Sequence, residues 1–163
     1  MKFILIILLA IPALSFSQPF KLIEPDARNL NEELKRLGYS GDVIYLYLIH
    51  NYDSVSGKSK VVRYDYPDYS ICAFDQEFSG GIHYSMEQCM EAGGVTVSLT
   101  LPKSDRKSVI KWIELIFESA PLDIEHGWNK EKTKFQPLDN GVGCYFEIKE
   151  TKNNTIIENY CGC

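Results

Sequence analysis

The chain has 163 residues, of which 45% are hydrophobic and 24% charged, with a formal net charge of −5. That length suits one domain with a substantial core. The acidic balance gives no electrostatic reason to seek nucleic acid or an anionic bilayer, so a charged partner is expected to be basic.

The opening stretch, MKFILIILLAIPALSFSQ, has Lys2 as a positive head, an apolar run from Phe3 to Leu14, and small residues Ser15 and Ser17 before Gln18. This is the pattern of a signal peptide over residues 1–17, too short for a stable spanning helix of about 20 apolar residues. Residues 18–163 are then expected to form one disulfide-stabilised domain, secreted or periplasmic, with no stable membrane anchor. All five cysteines, Cys72, Cys89, Cys144, Cys161 and Cys163, lie in that part. An oxidising compartment favours their pairing, and an odd count leaves one thiol over.

Further along, NLNEELKRL (29–37) places Leu30, Leu34 and Leu37 on one helical stripe, with Asn29 as cap and Gly38 as the stop. DVIYLYLIHNY, apolar on both faces and rich in β-branched and aromatic residues, reads as a central strand. KVVRYDY alternates and should pair back on it as a hairpin, and YPDYSICAF continues as an edge or bulged strand because Pro67 lacks a ladder donor. Residues 72–89 form a loop bracketed by two cysteines, with Gly80 and Gly81 at its turn. Ser85-Met86-Glu87-Gln88 within it resembles a capping box for a short helix ending at Gly93.

VTVSLTL (95–101) alternates strictly and is a strand with Val95, Val97, Leu99 and Leu101 inward. Ser104 should cap the helix SDRKSVIKWIELIFES, whose apolar face includes Val109, Trp112, Ile113 and Ile116. Residues 121–143 are irregular apart from a short strand near KTKFQ. The C-terminal VGCYFEIKET and TIIENYCGC form a hairpin whose turn is assigned to Asn153-Asn154. That register puts Lys149 opposite Glu158 and Cys144 opposite Cys163. A shift of two would face Glu147 with Glu158, a like-charge pair, so Cys144–Cys163 is the preferred bridge and Cys144–Cys161 the second. Asn153-Asn154-Thr155 is also a glycosylation sequon, relevant only in a eukaryotic secretory route. The whole is α+β: a mostly antiparallel, hairpin-connected sheet with two main helices packed on it. The sequence shows no internal repeat.

The chemistry concentrates in CAFDQEFSGGIHYSMEQC, where Cys72 and Cys89 bracket Asp75, Glu77 and His83. As a staple, Cys72–Cys89 closes a loop worth about 3 kcal/mol in the chain-entropy model. As a catalyst, Cys89 would need to be a thiolate within reach of His83, with Asp75 or Glu77 assisting. The spacing matches no metal motif, and HExxH, CxxC, GxSxG and a P-loop are absent, so no cofactor is implied. Just upstream, Tyr64, Asp65, Tyr66, Asp68 and Tyr69 combine aromatic contact area with acid, and Tyr45 and Tyr47 could extend that surface. The expectation is an exported, non-catalytic protein-binding module, inhibitor- or immunity-like, using Tyr64, Asp65, Tyr66, Asp68, Tyr69, Asp75 and Glu77 against a basic protein. The alternative is a small secreted hydrolase or metal-dependent enzyme centred on His83. Carbohydrate binding through exposed tyrosines and Trp128 is a third class.

Overall fold

The computed structural model describes residues 20–38, 42–65, 69–89, 94–120, 124–139 and 141–162. The signal-peptide assignment, Tyr66, Asp68 and Cys163 therefore lie outside the described residues. The first helix, α1 (Ala27–Arg36), begins where the Asp26 carboxylate accepts a hydrogen bond from the Asn29 backbone at 3.0 Å, so Asp26 and not Asn29 is the cap. Leu30 and Leu34 are buried as expected, while Leu37 closes the helix and stays 41% exposed. Gly38 follows at φ 67, the left-handed stop that its position predicts.

The run expected as a central strand is a helix instead, α2 (Val43–Asn51). Asp42 starts it, accepting from the backbones of Ile44 (2.7 Å) and Tyr45 (3.4 Å). Its sequence shows no amphipathic period because Ile44, Leu46, Tyr47 and Leu48 are all buried and Tyr45 is partly covered. A helix enclosed around most of its girth needs apolar residues on every side. Tyr45 and Tyr47 are thus core residues and do not extend an aromatic surface: Tyr47 is 0% exposed and packs edge-on against Trp112 at 5.4 Å.

Among the described residues eight antiparallel strands follow, with a third helix between the fourth and fifth. They are β1 (Ser59–Arg63), β2 (Ile71–Phe78), β3 (Ile82–Glu87), β4 (Val95–Pro102), α3 (Arg106–Ser119), β5 (His126–Trp128), β6 (Lys134–Pro137), β7 (Gly143–Glu150) and β8 (Asn154–Gly162). All belong to one sheet in the order β1-β2-β3-β4-β8-β7-β6-β5. Since β1 pairs with β2, the KVVRYDY strand finds a different neighbour from the one expected, and it takes the edge position itself. Ser85, Met86 and Glu87 of the SMEQ stretch likewise continue β3 where the first turn of a helix was expected, and the expected helix end at Gly93 lies outside the described residues.

The topology runs a helix and a four-strand meander twice, α2 with β1–β4 and α3 with β5–β8, and the two meanders join antiparallel along β4 and β8. That repeat is one of topology, without a counterpart in the residues.

The α+β class holds, with three helices among the described residues where two were expected. Alternation decides which sheet face they cover. Along β4, Val97, Leu99 and Leu101 are buried while Thr96, Ser98 and Thr100 point the other way. The inward residues of β2, β3, β7 and β8 join them in one buried cluster with the helix residues Leu34, Tyr47, Leu48, Trp112, Ile113 and Ile116. Tyr45 of α2 packs on Phe74, Phe78 and Tyr84, and Phe117 of α3 packs on Phe135. Each helix thus sits over the meander that follows it. Burial on this scale stabilises by about 1.5–3 kcal/mol per large side chain. Helix α3 is capped by Asp105, one residue beyond the expected Ser104.

Two disulfides clamp the sheet. Cys72 pairs with Cys89 as expected, but the segment they bracket is the β2–β3 hairpin and not a loop, and the bond closes its open end. The second is Cys144–Cys161, not Cys144–Cys163. The β7–β8 turn explains the difference. Its tip is Lys152-Asn153, because the Thr151 backbone donates to Asn154 O at 2.9 Å and the Asn154 backbone donates to Thr151 Oγ1 at 3.0 Å. Moving the turn by one residue moves each partner by two, so Cys144 faces Cys161 and Glu147 faces Glu158. The like-charge contact is tolerated because Lys149 reaches Glu158 at 2.6 Å and Glu147 at 4.0 Å, and Lys134 reaches Glu147 at 3.5 Å. Among the described residues, no helix is long and apolar enough to cross a membrane.

Candidate functional site

Three of the singled-out side chains converge. Asp75 and Glu77 lie two apart on β2 and so share a face, and Glu77 is directly opposite His83 on β3. His83 Nε2 stands 3.8 Å from Asp75 Oδ2 and 3.8 Å from Glu77 Oε1. Those distances are too long for direct hydrogen bonds but short enough for attraction once the imidazole is protonated. The group lies on the helix-free face of the sheet, and none of the described cavities is lined by it.

A fourth residue, which sequence reasoning missed, completes the cluster. Lys60 Nζ sits 2.6 Å from Asp75 Oδ2, and this ammonium, foremost, holds the Asp75 carboxyl below the usual carboxylate range. Partial burial works in the opposite direction, while the Ser85 hydroxyl and the His83 charge assist Lys60. The same contact raises the Lys60 ammonium above its ordinary value. Lys60 adopts φ 48, unusual without a glycine, within a stretch where the β1–β2 register shifts. An alternating strand gives no warning of such a bulge.

The hairpin that carries the group is rigid at both ends. At the turn, Gly80 and Gly81 take φ 76 and 77, which a three-residue connection requires. At the other end, beside the Cys72–Cys89 bond, the Tyr64 hydroxyl donates to the Gln88 carbonyl. Along the flank, the backbones of Val55 and Ser56 donate to Glu77 O, and the Ser56 hydroxyl accepts from Glu77 N at 3.1 Å. The Cys89 sulfur is part of a disulfide and so is not a thiolate nucleophile beside His83. No group of three or more His, Cys, Asp or Glu side chains among the described residues is arranged to hold a metal ion.

The upstream tyrosine–acid stretch divides. Tyr64 is half-buried and acts as the clamp just described, while Asp65 and Tyr69 are exposed, Tyr69 by 62%. Tyr69 takes φ 52, and its carbonyl accepts a hydrogen bond from Arg63 at 2.9 Å. The strand that contains Lys60, β1, is an edge strand with all five residues exposed, including Val61 and Val62. Val55, at 69% exposure, lies on the same flank beside Glu77. These valines are a second omission from the sequence reading; their signal was two adjacent β-branched residues in a strand with basic neighbours, which an edge position explains.

The remaining candidates have structural employment. His126 touches the carbonyls of Ile124 (3.0 Å) and Cys144 (2.8 Å) through its two ring nitrogens, and His50 lies 3.1 Å from Glu33. Trp128 donates from its indole nitrogen to Glu114 at 2.8 Å and packs on Phe135. No family model matches the chain, and neither a curated protein nor a solved structure does so.

Proposed function

We propose that this chain is an exported, non-catalytic protein-binding module, inhibitor- or immunity-like. Its contact surface is the β1 edge with the adjoining helix-free face of the β2–β3 hairpin. The observation that carries the reading is the edge itself: a five-residue strand exposed throughout, bearing Val61 and Val62 between Tyr69 and the Asp75–Glu77–His83 group. Exposed apolar side chains gathered beside polar ones mark contact surfaces, and an unpaired strand edge offers main-chain groups to an incoming segment. The basic side chains of this edge are engaged internally, Lys60 with Asp75, Arg63 with the Tyr69 carbonyl, and Lys58 over the Phe74 ring at 4.1 Å. Asp65, Glu77 and Glu87 remain outward, which favours a basic partner. The Cys72–Cys89 bridge pre-organises the hairpin that carries this surface and reduces the ordering cost of binding.

The test is affinity capture of a partner from the native culture, comparing the unaltered protein with a Tyr69→Ala/Glu77→Lys variant. Both positions are exposed, so the variant should fold with an unchanged thermal midpoint. It is expected to lose a basic protein that the unaltered chain retains and rebinds after purification. Equal retention by both proteins would refute the surface.

A further inference from the structure

On the helix-free face, four titratable side chains meet from three neighbouring strands: Lys60 of β1, Asp75 and Glu77 of β2, and His83 of β3. The two carboxylates are not equivalent. Lys60, at 2.6 Å from Asp75 Oδ2, neutralises Asp75 and keeps it ionised well into acid by holding its carboxyl below the usual range. Glu77 is exposed, and its one ion-pairing neighbour within 4 Å among the described residues is His83, with Nε2 at 3.8 Å from Oε1.

No other charge competes for the imidazole. On its far side β4 places Thr100 opposite His83 and carries no charged residue. In the segment that flanks β2, the Lys58 ammonium lies over the Tyr45 and Phe74 rings on the helix side of the sheet, and the Asp53 backbone is bonded to Ser79 at the turn. Glu87 is four residues further along β3, about 13 Å by strand rise, which exceeds the screening length of about 10 Å at 0.1 M salt.

Histidine is the side chain whose charge ordinarily changes between about pH 5 and 8. While His83 is neutral, Lys60 and Asp75 cancel and the group shows a partner the single negative charge of Glu77. Once His83 is protonated, that charge is cancelled too. Glu77 is exposed enough to close the remaining gap to a charge-assisted hydrogen bond of about 2.7–2.9 Å.

We propose that His83 is an acid-release switch for the contact surface: neutral, it leaves Glu77 to a basic partner; protonated, it takes Glu77 for itself and sets a positive charge against that partner. The switch presupposes the basic-partner surface proposed above and adds the condition under which that surface lets go.

The probe is hexa-arginine, whose charge is constant over the range, titrated into 15N-labelled protein at low salt and at about pH 7.5 and about pH 5.5. The readout is the ratio of the two dissociation constants, followed at the amides of β2 and β3. In the unaltered chain binding is expected to weaken by about fivefold at the lower pH, the effect of one unit charge about 4 Å away in water. In His83→Gln, neutral throughout, the ratio should fall to about one. In His83→Lys, charged throughout, it should again be about one, with binding weaker than in His83→Gln at both pH values. A pH-independent dissociation constant in the unaltered chain, or a pH dependence that survives in the folded His83→Gln variant, would overturn the switch and leave the surface standing. Absence of any saturable shift in β2 and β3 at either pH would overturn the surface, and the switch with it.

Discussion

The two stapled hairpins invite comparison, because they share a plan and differ in what fixes it. In both, a disulfide joins cysteines 17 residues apart, Cys72 to Cys89 and Cys144 to Cys161. The β2–β3 hairpin turns through glycines that only a tight connection explains, and its inward Phe74, Phe78, Ile82 and Tyr84 are nearly fully buried. The β7–β8 hairpin turns on Thr151 and Asn154, whose mutual hydrogen bonds select Lys152-Asn153 as the tip. Charge pairing argued for the other register, and it lost. Exposed ion pairs contribute roughly 0–1 kcal/mol, and flexible lysines can repair a like-charge contact, whereas turn geometry and the core set register more firmly.

The strongest way to break the comparison is to remove each bridge. The loops are the same length, so Cys72→Ala/Cys89→Ala and Cys144→Ala/Cys161→Ala should each cost about 3 kcal/mol in denaturant unfolding. Matching losses would place the effect in the unfolded chain. A difference of more than about 2 kcal/mol would mean that packing around the sulfurs, Cys72 being 1% exposed and Cys144 half-buried, outweighs loop closure.

Next comes a tie that the first hairpin has to the helix above it. Tyr84 of β3 donates from its hydroxyl to Asp42 Oδ2 while the other oxygen caps α2. Asp42→Ala should therefore cost about 2 kcal/mol or more, a lost cap together with a stranded buried hydroxyl. Burial pushes the Asp42 carboxyl up, so its ionised form is disfavoured in the fold. Its contribution falls as pH rises from the ordinary carboxylate value through the raised one. Asp42→Asn keeps the cap and should flatten that limb; an unchanged pH profile in the Asp42→Asn variant would show that the carboxyl is not the group titrating.

Legibility in the sequence followed the same division. Strand β4 and helix α3 were readable because each is buried on one face only, so Val97, Leu99 and Leu101 recur every second residue and Val109, Trp112, Ile113 and Ile116 at helical spacing. Helix α2 was not, since burial around most of its surface erases periodicity and a short, largely apolar run fits either a strand or a helix. The available clue was Asp42 immediately before the run, a cap in the place a helix needs one. At the candidate site, Asp75, Glu77 and His83 were legible because two-residue spacing and a glycine turn bring them together. Lys60 and the exposed valines were not, because they depend on β1 being the edge and on a bulge, both properties of the assembled sheet.

The smallest expected effects concern the lysines, and they separate the hairpins most cleanly. Lys149 serves two glutamates across β7 and β8, so Lys149→Gln should lower the thermal midpoint slightly at low salt. The loss should vanish near about 1 M salt, where screening acts over about 3 Å. Lys60 serves one aspartate, and its effect is read in pH. Because Asp75 titrates below its ordinary range when folded, its contribution is present above the unfolded carboxylate value and disappears as pH falls through the depressed one. In Lys60→Met the Asp75 carboxyl should titrate closer to the ordinary value, as followed by carboxyl NMR, and stability should fall less steeply below about pH 4. If Asp75 keeps its low value without Lys60, then Ser85 and His83 suffice to hold it. The ammonium would then be a bystander on the edge, left to meet a partner along with Val61 and Val62.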